Sequence, residues 1–225
     1  MPRSLTAGFD RGGRFISPDS WAASTSTASA RTLLIQAQSK FTNNTTACIR
    51  VKANGDRAVI SNNSINGFLD KSSTPSFFAG FSQGINIVLP TIGPQLGNYV
   101  ISHNQVNGAR DDGIFFGGTS VGSPIYGVVC TGNLVDGSGR AGIYALSCKD
   151  FQINGNQIRN TTLYGIYLNT CSGMGGINNN LIQTSGNVGI ITQVSDNTGL
   201  SLYVSGNTIE APTRQGVTSG RPAAP

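Results

Sequence analysis

Residues 151–171 read FQINGNQIRNTTLYGIYLNTC, and apolar and polar side chains alternate in short runs along them. Ile153 and Ile158 lie on either side of a Gly155-Asn156 pair, and a Tyr-Gly pair interrupts the next run. Alternation over a few residues, bounded by Gly and Asn, is typical of short β-strands joined at corners. Strands this short cannot bury an apolar face alone, so the stretch indicates a fold only if it recurs.

The same pattern recurs along the chain, anchored on an Asn-x-Ile or Asn-x-Val triplet. The six triplets begin at Asn63, Asn104, Asn133, Asn156, Asn180 and Asn207. Nine residues after the last five of these, a glycine precedes Ile or Val, at Gly113, Gly142, Gly165, Gly189 and Gly216. The first copy differs, because its Gly84-Ile85 pair follows Asn63 by 21 residues. Beyond that first interval the copies are 23 to 29 residues apart, and this period predicts a solenoid or another repeat array.

Comparing the copies position by position assigns a role to each column. Three residues before each anchoring Asn stands a residue that we expect to point inward: Ile60, Ile101, Cys130, Ile153, Ile177 or Val204. The residue directly before the Asn is Gly, Asn or His, the types that tolerate positive φ, so we interpret His103 as a corner residue rather than a base. We expect the anchoring Asn side chains to hydrogen-bond along the ladder of coils and to the corner backbone.

Composition narrows the class of protein. The 225 residues suffice for one domain, and 11% charged residues with 30 glycines suit a β-solenoid better than a disordered chain. The net charge of +5 is scattered, which argues against a nucleic-acid partner. The N-terminus lacks the apolar run of a signal peptide, and no segment approaches the ~20 apolar residues of a membrane span. We therefore expect folding in a cytoplasm and no membrane partner.

The four cysteines are Cys48, Cys130, Cys148 and Cys171. Cys130 takes the inward position held by Ile or Val in other copies, which predicts a core residue. Cys148 and Cys171 are 23 residues apart, so they should stack on neighbouring coils at a spacing compatible with a disulfide. Without a secretion signal we predict reduced thiols instead. A single His and the absence of metal-ligand spacing predict no metal and no cofactor.

The Asn-x-Ile … Gly-Ile repeat, with its Asn corner, resembles that of the right-handed parallel β-helices of the pectate-lyase-like superfamily, over residues 57–217. That superfamily includes polysaccharide lyases, polyuronate epimerases and phage tailspikes. The resemblance implies an all-β solenoid with three short strands per coil and about six to seven coils. We divide the chain into an N-terminal arm or cap (1–30), the β-helix (31–217) and a C-terminal tail (218–225), with an aromatic insertion at 71–84.

Polysaccharide-cleaving relatives carry carboxylates, Lys, Arg or His on one outer face. Asp111-Asp112 resembles the Asp-Asp pair of polygalacturonase-like enzymes, but the accompanying Gly-His-Gly and Arg-x-Lys motifs are absent. If the chain is an enzyme, its best candidates are Asp111, Asp112, His103 and Arg140. The simpler interpretation is a cross-strand ion pair between Asp111 and Arg140 on the next coil.

The column after the inward Ile of each Gly-Ile pair should point outward. It contains Phe115, Tyr144, Tyr167 and Ile191. An apolar stripe of this kind favours a contact surface. Two interpretations are open, a platform on which sugar rings stack and the seam of a homotrimer, and we predict the seam.

These features together predict a non-enzymatic structural or adhesive virion protein of a bacteriophage, either a capsid decoration protein or a short spike. We expect a homotrimer that contacts capsid or tail proteins through its N-terminal arm and that a surface glycan could also engage. The alternative is a polysaccharide lyase, hydrolase or epimerase acting on an acidic or capsular glycan, as in tailspike-like depolymerases.

Overall fold

The computed structural model describes residues 24–26, 33–35, 40–42, 49–52, 57–66, 83–88, 97–119, 123–193 and 199–220. Within these residues the chain forms 23 short β-strands, numbered here along the chain, which lie in three parallel sheets. None of the described residues forms a helix long and apolar enough to cross a membrane.

Each sheet contains every third strand or so of the chain, as expected for a coil with three strands. Sheet 1 contains, in spatial order, β1 (Ser24–Ser26), β4 (Ile49–Lys52), β7 (Ile85–Val88), β10 (Ile114–Gly117), β14 (Ala141–Leu146), β17 (Tyr164–Asn169), β20 (Val188–Gln193) and β23 (Gln215–Gly220). Sheet 2 contains β2 (Leu33–Ile35), β5 (Ala58–Ser61), β8 (Tyr99–Ser102), β12 (Val128–Thr131), β15 (Cys148–Asn154), β18 (Ser172–Asn178) and β21 (Leu200–Ser205), with β11 (Ile125–Tyr126) also paired to β15. Sheet 3 contains β3 (Lys40–Thr42), β6 (Ser64–Asn66), β9 (Gln105–Asn107), β13 (Leu134–Asp136), β16 (Gln157–Thr161), β19 (Leu181–Ser185) and β22 (Thr208–Glu210).

Successive coils stack in register. In sheet 1, Ile114, Ile143, Ile166 and Ile190 are aligned across four neighbouring strands, and all four side chains are fully buried. Four coils, from β8 to β20, are described throughout apart from residues 120–122, and strands of further coils lie on either side of them. The predicted parallel β-helix with three strands per coil is confirmed.

The glycine of each Gly-Ile pair is explained by a close contact inside the coil. A Cβ on Gly165 would lie 2.5 Å from the carbonyl oxygen of Gly189 and closer still to the Ile182 side chain. Real Cβ atoms do not approach other atoms this closely, so the position requires glycine. Since Ile182 belongs to the Asn-x-Ile triplet of the next coil, the two halves of the sequence repeat pack directly against each other.

At the Asn corner between sheets 2 and 3, both predictions are confirmed: the positive φ of the residue before each anchoring Asn, and the hydrogen bonding of the Asn side chains along the ladder. The residue before each anchoring Asn has positive φ in all six copies, at Asn62, His103, Gly132, Gly155, Asn179 and Gly206. Each of the first five anchoring side chains donates from Nδ2 to Oδ1 of the corresponding Asn on the next coil, at 2.9–3.0 Å, in an unbroken row from Asn63 to Asn207. The same amides also bond to backbone carbonyl oxygens of the preceding coil, for example Asn156 to Cys130.

The long first interval of the repeat leaves the sheet register intact, since Ile85 is aligned with Ile114. The sheets extend beyond the boundaries predicted for the β-helix, because β1 lies before residue 31 and pairs with β4. Residues 218–220, assigned above to the C-terminal tail, continue β23 beside β20, and the first proline of that tail follows at Pro222. Residues 1–23, most of the aromatic insertion at 71–84, and Cys48 lie outside the described residues.

Candidate functional site on the outer face of sheet 1

The predicted outward column exists as one row on sheet 1. Strand register aligns Phe115 with Tyr144, Tyr144 with Tyr167, and Tyr167 with Ile191. Tyr144 is only 7% exposed, whereas the other three are half-buried. We call these four residues the outer stripe.

The aromatic rings of the outer stripe pack against one another. Tyr144 and Tyr167 stack with ring centroids 4.6 Å apart and an interplanar angle of 6°, and Phe115 meets Tyr144 edge-on at 5.2 Å. The Arg140 guanidinium carbon lies 4.6 Å from the Tyr144 ring centroid, within the range of a cation–π interaction. Little of the Tyr144 ring is therefore left for a ligand.

Arg140 also forms a bidentate ion pair with Asp112. Its Nε donates to Asp112 Oδ1 at 2.8 Å and its Nη2 to Asp112 Oδ2, while the Ala141 backbone N–H donates to Oδ1 at 3.3 Å. The Asp112 side chain is fully buried and that of Arg140 is 14% exposed. Since Asp112 precedes β10 and Arg140 precedes β14, the pair links two coils at the entrance to sheet 1.

The pKa shifts in this cluster follow from burial and from the ion pair. Burial raises the pKa of Asp112, and the hydrogen bonds and charge of Arg140 act in the opposite direction. Burial alone would lower the pKa of Arg140, but the hydrogen bonds and charge of Asp112 raise it above its usual range. Burial also raises the pKa of Tyr144 and of Tyr167, so both phenols stay protonated. The cluster thus contains a guanidinium fixed by an ion pair and two neutral phenol hydroxyls, and its one carboxylate, on Asp112, is bound to that guanidinium.

The candidate catalytic residues do not all meet in one place. Asp112 and Arg140 form the ion pair that was predicted for Asp111, which instead accepts a backbone hydrogen bond from Arg140 N through its carbonyl oxygen at 2.8 Å. The register was therefore predicted correctly, but the neighbouring carboxylate makes the bidentate contact. His103 is exposed at a different corner of the coil, between β8 and β9, and lies over Gly132.

Three contact residues of the outer stripe were missed by the sequence reasoning. The Tyr167 hydroxyl is 2.6 Å from Gln193 Oε1, Asn169 Nδ2 donates to the Tyr144 hydroxyl at 3.3 Å, and Tyr164 lies 5.0 Å from Tyr167. Asn169 and Gln193 are aligned with each other two positions after the stripe. Because strand side chains alternate, examining that next outward column would have found both of them.

The sequence matches the family model described as "Periplasmic copper-binding protein (NosD)" over residues 72–220, which is more than half of the chain. The chain belongs to the NosD family. No curated protein sequence matches it significantly.

Several solved structures share the fold of this NosD-family chain. A point mutant of the periplasmic alginate epimerase AlgG has a TM-score of 0.63 at 14% sequence identity, covering 86% of this chain and 46% of the epimerase. Another AlgG crystal structure has a TM-score of 0.54 at 14% identity and covers 84% and 50% of the two chains. The Dettilon tailspike protein has a TM-score of 0.47 at 17% identity and covers 73% and 40%. The chain spans about half the length of AlgG, and the likeness at these identities shows the fold.

The family description raises the question of whether the residues present fit copper. Soft thiolate and thioether ligands select Cu(I), and imidazole suits copper generally. Across the described part of the chain, no three His, Cys, Asp or Glu side chains are grouped as a metal site would require. The buried free thiols Cys130, Cys148 and Cys171 point into the coil, whereas His103 is exposed outside it. The described residues therefore do not fit a copper site.

Proposed function

We propose that this chain is a non-enzymatic structural and adhesive β-helix that assembles as a homotrimer on a larger particle, the virion of a bacteriophage. The observation that carries the proposal is the condition of Asp112, which is fully buried with both carboxylate oxygens engaged by Arg140. A general base must reach its substrate, and glycoside hydrolysis needs two carboxylates on either side of the bond. Asp112 instead joins two coils, so its role is architectural.

The outer stripe supports assembly through sheet 1. Phe115, Tyr167 and Ile191 are half-buried in a single chain and run along the axis of the coil. Three copies that place this face toward a common axis would bury a continuous apolar row, as the cores of homo-oligomer interfaces do. The N-terminal arm would then contact capsid or tail proteins.

The oligomeric state tests the seam. Tyr167→Ser combined with Ile191→Ser should reduce the solution mass, measured by analytical ultracentrifugation, from three chains to one. Tyr144 is kept unchanged, because its 7% exposure means that replacing it would disturb the single chain. The matched control is Val129→Ser, also half-buried but on the outward face of sheet 2, which should leave a trimer. A trimeric mass for the sheet 1 variant refutes the seam.

The location is tested separately by quantitative mass spectrometry of purified phage particles. We expect this chain at a fixed copy number comparable to that of a capsid or tail protein. Its absence from particles that infect normally would refute the virion assignment whatever the oligomeric state.

The second candidate is a lyase, hydrolase or epimerase that acts on an acidic polysaccharide. It is favoured by one observation: a guanidinium and two protonated tyrosines share the outer face of sheet 1, where they could neutralise and protonate a uronate. In that case Asp111→Asn with Asp112→Asn abolishes turnover of acidic glycans. Under the non-enzymatic proposal, the unaltered protein already leaves such glycans intact.

A further inference from the structure

A second surface, on the outer face of sheet 2, contains the most exposed aromatic side chain of the described residues. Tyr203 on β21 is 69% exposed. Its strand register aligns it with Gly176 on β18, which is aligned in turn with Gln152 on β15. The residues that follow Gln152 and Gly176 are fully buried isoleucines, so this column points outward.

Gly176 makes the surface beside Tyr203 flat. A Cβ at this position would collide with Gln152 Oε1 and would lie 2.9 Å from its Nε2. The carboxamide of Gln152 therefore lies across the glycine, which strand register aligns with Tyr203. A larger residue at position 176 would displace that amide, so the glycine leaves room for the Gln152 carboxamide on the outer surface of the sheet.

A row of hydrogen-bonded polar side chains lies beside Gln152 and Gly176, in the next outward column. Asn154 Nδ2 donates to Gln152 Oε1 at 3.4 Å, Asn178 Nδ2 to Asn154 Oδ1 at 3.1 Å, and Ser205 Oγ to Asn178 Oδ1 at 2.9 Å. These bonds set the orientation of the amides along the axis of the coil. A carboxamide has two N–H donors, and Asn154 and Asn178 each use one of them in these bonds, so the second N–H of each remains for a ligand.

The two outward columns of this surface carry no formal charge. They consist of Gln152, Asn154, Gly176, Asn178, Tyr203 and Ser205. The charged residues Lys149 and Asp150 lie at the start of β15, where the Lys149 ammonium lies 5.4 Å from the Tyr126 ring centroid and Asp150 Oδ1 accepts from the Met174 backbone N–H. An exposed tyrosine ring stacks on the C–H face of a sugar, while oriented amides and hydroxyls bond its hydroxyl groups. A uronate would find no cation in these two columns. We infer that this face of sheet 2, from Gln152 to Tyr203, binds a neutral oligosaccharide.

The inference rests on the proposed adhesive function and names its ligand class. Polar groups recur at the coil spacing of ~4.8 Å, so a sugar chain lying along the axis contacts the amides and Tyr203 in succession. The surface is shallow, and each copy binds weakly. In a trimer three such faces act together, which strengthens attachment to a surface that displays many glycans.

The test uses the full-length protein on an array of neutral and uronate-containing oligosaccharides, followed by isothermal titration with the strongest binder. We expect a neutral oligosaccharide to bind and Tyr203→Ala to weaken its affinity about tenfold, the loss expected for one stacked ring. Tyr203→Phe retains the ring and should stay within about threefold of the unaltered protein. Gly176→Leu should also weaken binding, by displacing Gln152.

Gln105→Ala, at an exposed position on β9 in sheet 3, is the control that should leave the affinity of each site unchanged. Absence of binding to every neutral oligosaccharide overturns the inference, as does an affinity that Tyr203→Ala leaves unaltered. Failure of this site is distinguishable from failure of the proposed function. A chain found at fixed copy number in particles but unable to bind neutral glycans loses only the inference. Tyr203-dependent binding by a chain absent from particles contradicts only the virion assignment.

Discussion

Replacing Asn156 by Ala removes one rung from the middle of the Asn row. Its Nδ2 donates to the Cys130 carbonyl oxygen at 2.9 Å and to Asn180 Oδ1 at 3.0 Å. Its Oδ1 accepts from the backbone N–H and the Nδ2 of Asn133, at 3.0 and 2.9 Å. The substitution removes all four bonds and leaves the buried Asn133 N–H without that acceptor. One orphaned buried donor costs about 1–3 kcal/mol and each of the three other lost bonds about 0.5–1.5 kcal/mol, so we expect a loss of about 2.5–7.5 kcal/mol.

Equilibrium unfolding in urea, followed by circular dichroism, measures this loss in the free energy of unfolding. The matched control is Asn207→Ala, in the last copy of the same row, where the residue is half-buried. Its Nδ2 donates to the Ile177 carbonyl oxygen, and its Oδ1 accepts from the backbone N–H and the Nδ2 of Asn180. Three bonds are lost there instead of four, and water can reach the half-buried position, so we expect a smaller loss than at Asn156. Equal losses at the two positions, or a loss below about 1 kcal/mol at Asn156, would refute the reasoning.

Two further substitutions test the packing and the buried charge. Gly165→Ala places a Cβ 2.5 Å from the Gly189 carbonyl oxygen and should cost about 1–3 kcal/mol or more of unfolding free energy, whereas Gly155→Ala meets nothing within 4 Å and should cost about 1 kcal/mol for its positive φ. A larger loss at Gly155 would contradict this account. Arg140→Met leaves Asp112 buried without its cation, so burial holds the folded-state pKa of the carboxyl above the unfolded value of about 3.9. The variant should then keep its stability below about pH 4 and lose stability as the pH rises toward neutrality. If Arg140→Met lowers the urea midpoint equally at about pH 4 and at about pH 7, this mechanism is excluded.

The fold could be predicted because its requirements repeat. Positive φ before each anchoring Asn and the lack of space at each Gly of a Gly-Ile pair restrict the same columns in successive coils. Six copies make such a restriction visible in one sequence. The polar strand β1 (Ser24–Ser26) shows the limit of this reading, because it pairs with β4 without the apolar alternation that identifies a strand.

The candidate site was harder to predict because its contacts do not repeat. The column reading placed the outer stripe correctly, but it assigned the ion pair to Asp111 rather than Asp112, since register alone does not say which of two adjacent carboxylates turns inward. Tyr203 shares its column with Gln152 and Gly176, and three different residue types in one column give no pattern to notice. Tyr203 is singled out by its 69% exposure beside Gly176, which only a structure provides.

The interlocking of the two halves of the repeat also determines where function can reside. From the second copy onward, the inward Val or Ile of each Asn triplet fills the space that a glycine leaves on the coil before, so neither can change alone without a collision or a cavity. The Asn row restricts the corner in the same way, because each amide bonds to both neighbouring coils. The outward columns carry neither restriction, and they hold a cation–tyrosine cluster on sheet 1 and an uncharged amide surface on sheet 2. In this chain, differences in binding between relatives should therefore arise from outward columns and insertions, while the interior keeps the register that positions them.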